Sequence, residues 1–275
     1  MERDRIAFIG GGNMARSLIA GLVAAGHPPA RIEVTDPDPG KRETLATTFG
    51  VGATDDNRDA VARADTVVLA IKPQMMETVC TGLAPALRGH APLIVSIAAG
   101  VRTGALAGWL DFTGALVRCM PNTPALLQAG VTALYASEQA GADERGRAES
   151  ILRAAGEVIW VDDEPMLDTV TAISGSGPAY FFRFMEALEA AGVARGLEPE
   201  QARLLVRETA FGAARMAREA GEAPGTLRQN VTSKGGTTAA ALDALEAGGL
   251  ADLVERAVAA AADRAGELGD QLGGN

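Results

Sequence analysis

The residues best suited to chemistry sit in a few turns. Ile9-Gly10-Gly11-Gly12-Asn13-Met14-Ala15 follows a short apolar run and opens a helical pattern. Gly10 and Gly12 meet the first two positions of G-x-G-x-x-G/A, and Ala15 meets the third. The first glycine allows a tight turn, the second lets backbone approach a pyrophosphate, and the small third residue lets helix and strand pack closely. The alternative is a purely structural glycine turn. A second candidate is Val34-Thr35-Asp36-Pro37, with Asp36 lying 24 residues beyond Gly12. A carboxylate there accepts a ribose 2′-hydroxyl and repels a 2′-phosphate, which favours NAD(H). Lys41 and Arg42, one turn further on, oppose that repulsion, so both cofactors stay in play; an Asx turn before Pro37 is the structural alternative. The third is Ser233-Lys234-Gly235-Gly236-Thr237-Thr238, which leads into a helical pattern. Small residues and hydroxyls at a helix start present backbone N–H groups to an anion, though an ordinary Ser/Thr cap reads the same way.

The elements that position these turns fall into two halves. Up to about residue 160, short apolar runs alternate with helical patterns. Strands are predicted at Arg5–Ile9, Ile32–Thr35, Thr66–Ile71, Leu93–Ile97, Leu116–Met120, Val131–Tyr135 and Glu157–Val161. The run Val67-Val68-Leu69-Ala70-Ile71 is apolar on both faces, as in a strand covered by helices on both sides. This alternation predicts an α/β Rossmann-type doubly wound parallel sheet over residues 1–162. From about Asp162 the strand signal stops, and residues 163–275 read as an all-α domain. Within it, residues 179–193 are apolar on nearly every side, with Phe181, Phe182, Phe184 and Met185 crowded together. Such a helix must be buried, and a subunit interface is favoured over an ordinary core helix.

Composition narrows the function classes. The chain has 275 residues, 35 acidic against 25 basic, and a formal net charge of -10. It lacks the basic footprint that phosphate backbones demand, so nucleic acid and anionic membranes are not expected partners. Cys80 and Cys119 form no CxxC and no disulfide framework, which fits reduced, inert thiols. No metal-ligand spacing stands out. The N-terminal residues carry no signal-peptide stretch and no run of 18 apolar residues appears, so a soluble cytoplasmic protein is expected.

Several further segments fit no generic pattern but fit one family together. They are Ala70-Ile71-Lys72-Pro73-Gln74, Ser96-Ile97-Ala98-Ala99-Gly100-Val101, Arg118-Cys119-Met120-Pro121-Asn122-Thr123-Pro124, Ser174-Gly175-Ser176-Gly177-Pro178-Ala179-Tyr180, and Asn230-Val231-Thr232 running into the Ser233 turn. In that order and spacing the whole chain resembles the pyrroline-5-carboxylate reductases, oxidoreductases that close proline biosynthesis. The resemblance implies NADPH or NADH as cofactor and an all-α dimerisation domain intertwined with a second subunit. It implies active sites between the cofactor of one subunit and helical segments at the dimer interface, and homodimers that often assemble into decamers. Carried over by position, the cofactor contacts are Ile9, Gly10, Gly11, Gly12, Asn13, Met14, Thr35, Asp36, Asn57, Ala70, Ile71, Lys72, Pro73, Ala98 and Ala99. The substrate contacts are Asn230, Ser233, Gly235, Gly236, Thr237 and Thr238. Asp36 and Lys234 depart from the family pattern, the first where an uncharged residue is frequent and the second where proline is.

The implied substrate, 1-pyrroline-5-carboxylate, carries one carboxylate and a C=N bond. In its iminium form the electrophile is already activated, so no side chain has to protonate it during reduction. That suits a chain with only two histidines, His27 and His90, both expected to be surface residues. Catalysis then rests on proximity and orientation, worth roughly 7–11 kcal/mol, with Thr238 reaching the ring nitrogen as the catalytic side chain. Lys72 invites a general-acid role, but Pro73 and the strand-end position favour cofactor binding. Glu164 could balance the iminium charge, although a surface role is expected. A carbonyl reductase using a lysine in its helical half fits poorly, because the only lysine beyond residue 72 is Lys234. A non-catalytic NADP sensor of the same fold is the remaining rival.

Overall fold

The structure, a computed structural model, describes residues 4–273. It divides into two compact units, one built from residues 4–176 together with 260–273 and the other from residues 177–259. The sequence sets the domain boundary at residue 162, where strands give way to helices. By packing, the first unit also takes the segment up to residue 176 and the last turns of the final helix.

The first unit is an eight-stranded sheet in the order β3-β2-β1-β4-β5-β6-β7-β8. Its strands are β1 (Ile6–Ile9), β2 (Ile32–Thr35), β3 (Gly52–Thr54), β4 (Thr66–Leu69), β5 (Leu93–Ser96), β6 (Leu116–Met120), β7 (Gly130–Ala136) and β8 (Gly156–Trp160), and its helices α1 (Asn13–Ala24), α2 (Pro39–Phe49), α3 (Asn57–Ala62), α4 (Met76–Leu87), α5 (Thr103–Leu110), α6 (Ala142–Arg153) and α7 (Met166–Val170). All residues of β1, β4 and β5 are buried, as expected of central strands covered on both faces. Two apolar clusters flank the sheet. One joins Phe8, Val34, Val68 and Val95 to Leu18 and Ile19 of α1 (Asn13–Ala24). The other joins Ile9, Val67, Leu69 and Ile94 to Met76, Cys80 and Leu83 of the helix at Met76–Leu87. With so few aromatic residues, aliphatic side chains fill both layers.

Two features differ from the sequence reading. β3 and the short helix at Asn57–Ala62 lie outside the elements that the sequence predicts. The sheet is also not wholly parallel: β6 pairs with β7 antiparallel, with Met120 opposite Ala133 and Val117 opposite Ala136. The connection holds only a 3-10 turn at Thr123–Leu127 and the residues flanking it. A parallel crossover needs a dozen residues or more, so this connector has to turn the chain back.

In the second unit, α8 (Gly177–Ala194) packs against α9 (Pro199–Glu219), followed by α10 (Pro224–Asn230), α11 (Thr237–Ala247) and the start of α12 (Leu250–Gly273). The apolar side chains of this unit are not enclosed: Phe181 is 73% exposed, Phe182 62% and Phe211 63%. An apolar face of this size marks an interaction surface. Among the described residues no helix is long and apolar enough to cross a membrane.

Both cysteines are free and buried. Burial pushes the Cys80 thiol up to about 12 and raises Cys119 as well, against a weaker downward pull from Arg118. Neither thiol ionises near neutral pH, and the thiolate is the nucleophile. Ellman titration of the native protein at mildly alkaline pH should therefore report no reactive thiol, and denaturant should release two. Rapid labelling of the native chain would contradict this packing.

Candidate active site

The carboxyl ends of β1 to β5 form one edge of the sheet, with the topological switch between β1 and β4, where open α/β sheets bind ligands. Gly10 turns out of β1 with φ +101°, its N–H donating to the Thr35 carbonyl at 2.8 Å. A Cβ at Gly10 would lie 2.6 Å from the Ala70 carbonyl oxygen, so only glycine fits there. Gly12, the N-cap of α1, is the opposite case, with nothing within 4 Å of where a Cβ would stand. The first backbone bond of α1 runs from the Arg16 N–H to the Gly12 carbonyl. The amides of Asn13, Met14 and Ala15 thus lack intrahelical acceptors, the arrangement that receives a phosphate. Beside this turn lies a cavity of about 440 Å³ lined by Gly11, Gly12, Asn13, Arg16, Lys41 and Thr44 among others. Bare backbone, uncommitted amides and two cationic side chains fit a dinucleotide phosphate.

Asp36 holds this turn rather than facing outward. Its Oδ2 accepts the Gly11 N–H at 3.0 Å and lies 3.4 Å from Lys41 Nζ, while Oδ1 accepts the Asp38 N–H at 3.0 Å. The side chain is only 8% exposed. Arg42 Nη1 donates to the Asp36 and Pro37 carbonyls at 2.6 and 3.1 Å, closing the loop from the other side. Both carboxylate oxygens are therefore engaged before any ribose arrives, which weakens the case for a carboxylate that excludes a 2′-phosphate. Burial pushes this carboxyl up, but the Asp38 and Gly11 amides together with Lys41 outweigh it and hold the group below its ordinary 3.8. A depressed carboxyl stabilises the fold above its unfolded-state value and loses that contribution as pH falls through its folded value. Asp36→Asn should lower stability at neutral pH by about 1.5–3 kcal/mol, the range for hydrogen bonds to a charged group. The deficit should shrink as pH drops below the carboxylate range. Parallel melting curves for the variant and its parent across that range would argue against the strut.

The other expected cofactor positions share this edge. Thr35 is buried, its hydroxyl 3.4 Å from the Phe8 carbonyl. Asn57 opens its helix behind Asp56, whose carboxylate caps the Arg58 and Asp59 amides. Ala70, Ile71, Lys72 and Pro73 follow β4, and the exposed Lys72 stands just before the 3-10 turn Pro73–Met75. Ala98 is buried and Ala99 exposed in the loop after β5. The histidines are not plain surface residues. His27 follows α1 at the opposite edge and is half-buried, its Nε2 without a hydrogen-bond partner among the described residues; His90 Nε2 lies 2.7 Å from the Ala64 carbonyl, just ahead of β4. Neither is at the carboxyl edge.

In the second unit the expected substrate residues gather at the start of α11. The Gly236 N–H donates to the Ser233 carbonyl at 3.0 Å, closing a turn in which Gly235 takes a left-handed φ of +72°. Gly236 is the N-cap, and a Cβ there would strike the Ser233 hydroxyl. Thr237 and Thr238 follow as the first two helical residues, Thr238 half-buried. This is the geometry in which first-turn amides and a hydroxyl meet a small anion. Asn230 ends α10, with its Nδ2 donating to Glu222 at 3.1 Å.

Two family models match in succession. Residues 5–100 match one described as a coenzyme F420-dependent NADP oxidoreductase, and residues 164–268 match one described as the pyrroline-5-carboxylate reductase dimerisation region. The pyrroline-5-carboxylate reductase of Pseudomonas aeruginosa is 50% identical over 273 residues, covering 99% of this chain and 100% of the relative. The chain belongs to the pyrroline-5-carboxylate reductase family. The Vibrio alginolyticus reductase is 45% identical over 98% of both chains. Among solved structures, the Coxiella burnetii reductase superposes with a TM-score of 0.93 at 46% identity, covering 96% of this chain and 98% of that one. A Plasmodium falciparum pyrroline carboxylate reductase solved with NADP bound gives 0.84 at 28% identity, covering 98% and 100%.

In this reductase-family chain the structure overturns the surface role expected of Glu164. Glu164 is 14% exposed, not a surface residue. It accepts the Thr103 N–H at 2.8 Å and the Thr103 hydroxyl at 2.7 Å, and pairs with Arg118, itself 3% exposed, at 3.2 Å. Thr103 begins the helix after the Ala98–Val101 loop, so a carboxylate 61 residues downstream caps the element leaving the cofactor edge. The sequence signal, in hindsight, is an arginine inside the otherwise apolar strand β6, which requires a buried anion.

Proposed function

We propose that this protein reduces the C=N bond of 1-pyrroline-5-carboxylate to L-proline with NADPH or NADH, the closing step of proline biosynthesis. Full-length identity to reductases of this name carries the reading, and the glycine turn at Gly10–Met14 supports the cofactor. When bound, the reduced nicotinamide supplies the hydride. The chain's own residues bind and orient. Gly10 and Gly11, their own amides held by Thr35 and Asp36, shape the turn, while Gly12, Asn13 and Met14 offer backbone amides to the phosphates. Ile9, Thr35, Asp36 and Asn57 shape the nucleoside side, and Ala70 to Pro73 with Ala98 and Ala99 flank the nicotinamide side. Ser233, Gly235, Gly236 and Thr237, with Asn230 behind them, hold the substrate carboxylate at the start of α11. Thr238 Oγ1 holds the ring nitrogen, accepting a hydrogen bond from the iminium or the product amine. Lys72 binds rather than donates a proton, because the iminium needs none.

The exposed apolar face of α8 and α9 supports a homodimer, and decamers built from such dimers are the larger assembly the family implies. A cytoplasmic location accords with the biosynthetic role. The deciding experiment follows NADPH and NADH oxidation by the purified protein with DL-pyrroline-5-carboxylate. Turnover to proline is expected with at least one cofactor; cofactor binding without turnover would replace the reductase reading with a sensor or another imine substrate.

A further inference from the structure

The loop after β5 is gripped from a part of the chain far away in sequence. Gly100 takes a left-handed φ of +77°, and a Cβ there would lie 3.3 Å from the Leu272 side chain and 3.7 Å from the Gly269 amide nitrogen. Gly269 is buried in turn, and a Cβ on it would meet Arg102 Nε at 3.2 Å and the Gly100 carbonyl at 3.4 Å. Leu272 packs on the apolar cluster that holds Ala98 and Val101. The polar contacts converge on the same place. Arg102 Nη2 lies 3.1 Å from Asp270 and 3.7 Å from Asp168, and Arg118 bridges Asp168 at 3.6 Å to Glu164 at 3.2 Å. Glu164 then caps Thr103, where the chain leaves the loop. The loop is thus held by a helix end on one side and by a chain of ion pairs on the other. All of these residues belong to the first unit.

We propose that the last turns of α12, seated on Gly100 through Gly269 and Leu272 and tied down by Arg102, are a positioning device that sets cofactor affinity by fixing the Ala98–Val101 loop. Gly269, Leu272 and Asp270 act through the loop and touch neither substrate nor cofactor. The proposal rests on the reading that Ala98 and Ala99 contact the cofactor. Glycine is a poor helix former, and at position 269 it keeps the helix end close to the loop, where a methyl group would crowd Arg102 and the Gly100 carbonyl.

Gly269→Ala separates positioning from plain stability, since alanine favours the helix while its methyl presses on Arg102 and Gly100. The dissociation constant for NADPH, measured by calorimetry on the full-length protein, should rise by about 2- to 30-fold, the range for coupling through packed neighbours. The KM for NADPH should rise with it, with kcat and the KM for pyrroline-5-carboxylate held and the melting temperature unchanged or higher. Leu272→Ala, which withdraws the side chain from Gly100, should weaken NADPH binding in the same direction and decides the matter if Gly269→Ala fails to fold. NADPH binding equal to the parent in a folded variant overturns the proposal. An unsubstituted protein that neither binds NADPH nor reduces pyrroline-5-carboxylate would instead overturn the functional reading beneath it.

Discussion

Gly10→Ala should leave a folded chain that no longer binds NADPH at working concentrations. Two costs act at this position. The backbone sits at φ +101°, a region where an L side chain costs about 1–2 kcal/mol. The added methyl would stand 2.6 Å from the Ala70 carbonyl oxygen and 2.8 Å from the Ile71 side chain, and forced overpacking costs about 1–3 kcal/mol. Neither is relieved by a rotamer change, because the nearer obstruction is the Ala70 carbonyl of the neighbouring strand end. The turn must move, and with it the amides that open α1 and the Gly11 N–H held by Asp36. An NADPH dissociation constant raised at least tenfold is the expected reading, with far-ultraviolet dichroism preserved. Gly12→Ala is the control: its Cβ enters open space, so the fold should tolerate it while the approach of the phosphate suffers. Parent-like binding by Gly10→Ala would remove this turn from the cofactor site.

Thr238→Ala should reduce kcat/KM for pyrroline-5-carboxylate by about 1.5–3 kcal/mol, the scale of a hydrogen bond to a charged group. Thr238 is the second residue of α11, so the substitution leaves the N-cap Gly236 and the Ser233 turn untouched. Alanine is also a better helix former than threonine, so lost activity would not trace to a lost helix. Thr238→Ser, which keeps the hydroxyl, should stay near the parent, and NADPH affinity should not move in either variant. An unchanged kcat/KM in Thr238→Ala would leave orientation by backbone amides as the whole of the substrate site.

Much of this is legible in the residues alone. The central strands announce themselves as runs apolar on both faces, and the glycine turn stands between the first of them and a helix. β3 did not show because Gly52-Ala53-Thr54 is a short edge strand with two exposed residues and no alternation to detect. The direction of β7 is invisible to periodicity, since parallel and antiparallel strands alternate alike; only the brief connector hints at it. Asp36 has the position of a ribose-binding carboxylate, yet which way its oxygens turn depends on Gly11 and Asp38 amides whose placement is a tertiary fact. Glu164 was harder still. Its partners Thr103 and Arg118 lie on other elements of the first unit, and no local pattern joins the three.

The reversal at β6–β7 also bears on the order in which the sheet assembles. Met120 and Ala133 face each other across a tight connector, whereas Ile6 must find Thr66 and Leu69 must find Ser96 across whole intervening helices. Loop-closure entropy rises with the length of chain to be closed, and local pairings form ahead of distant ones. The β6–β7 ribbon is therefore the cheapest nucleus on the distal side of the sheet. The cofactor edge, which needs β1, β4 and β5 aligned together, is expected to mature later.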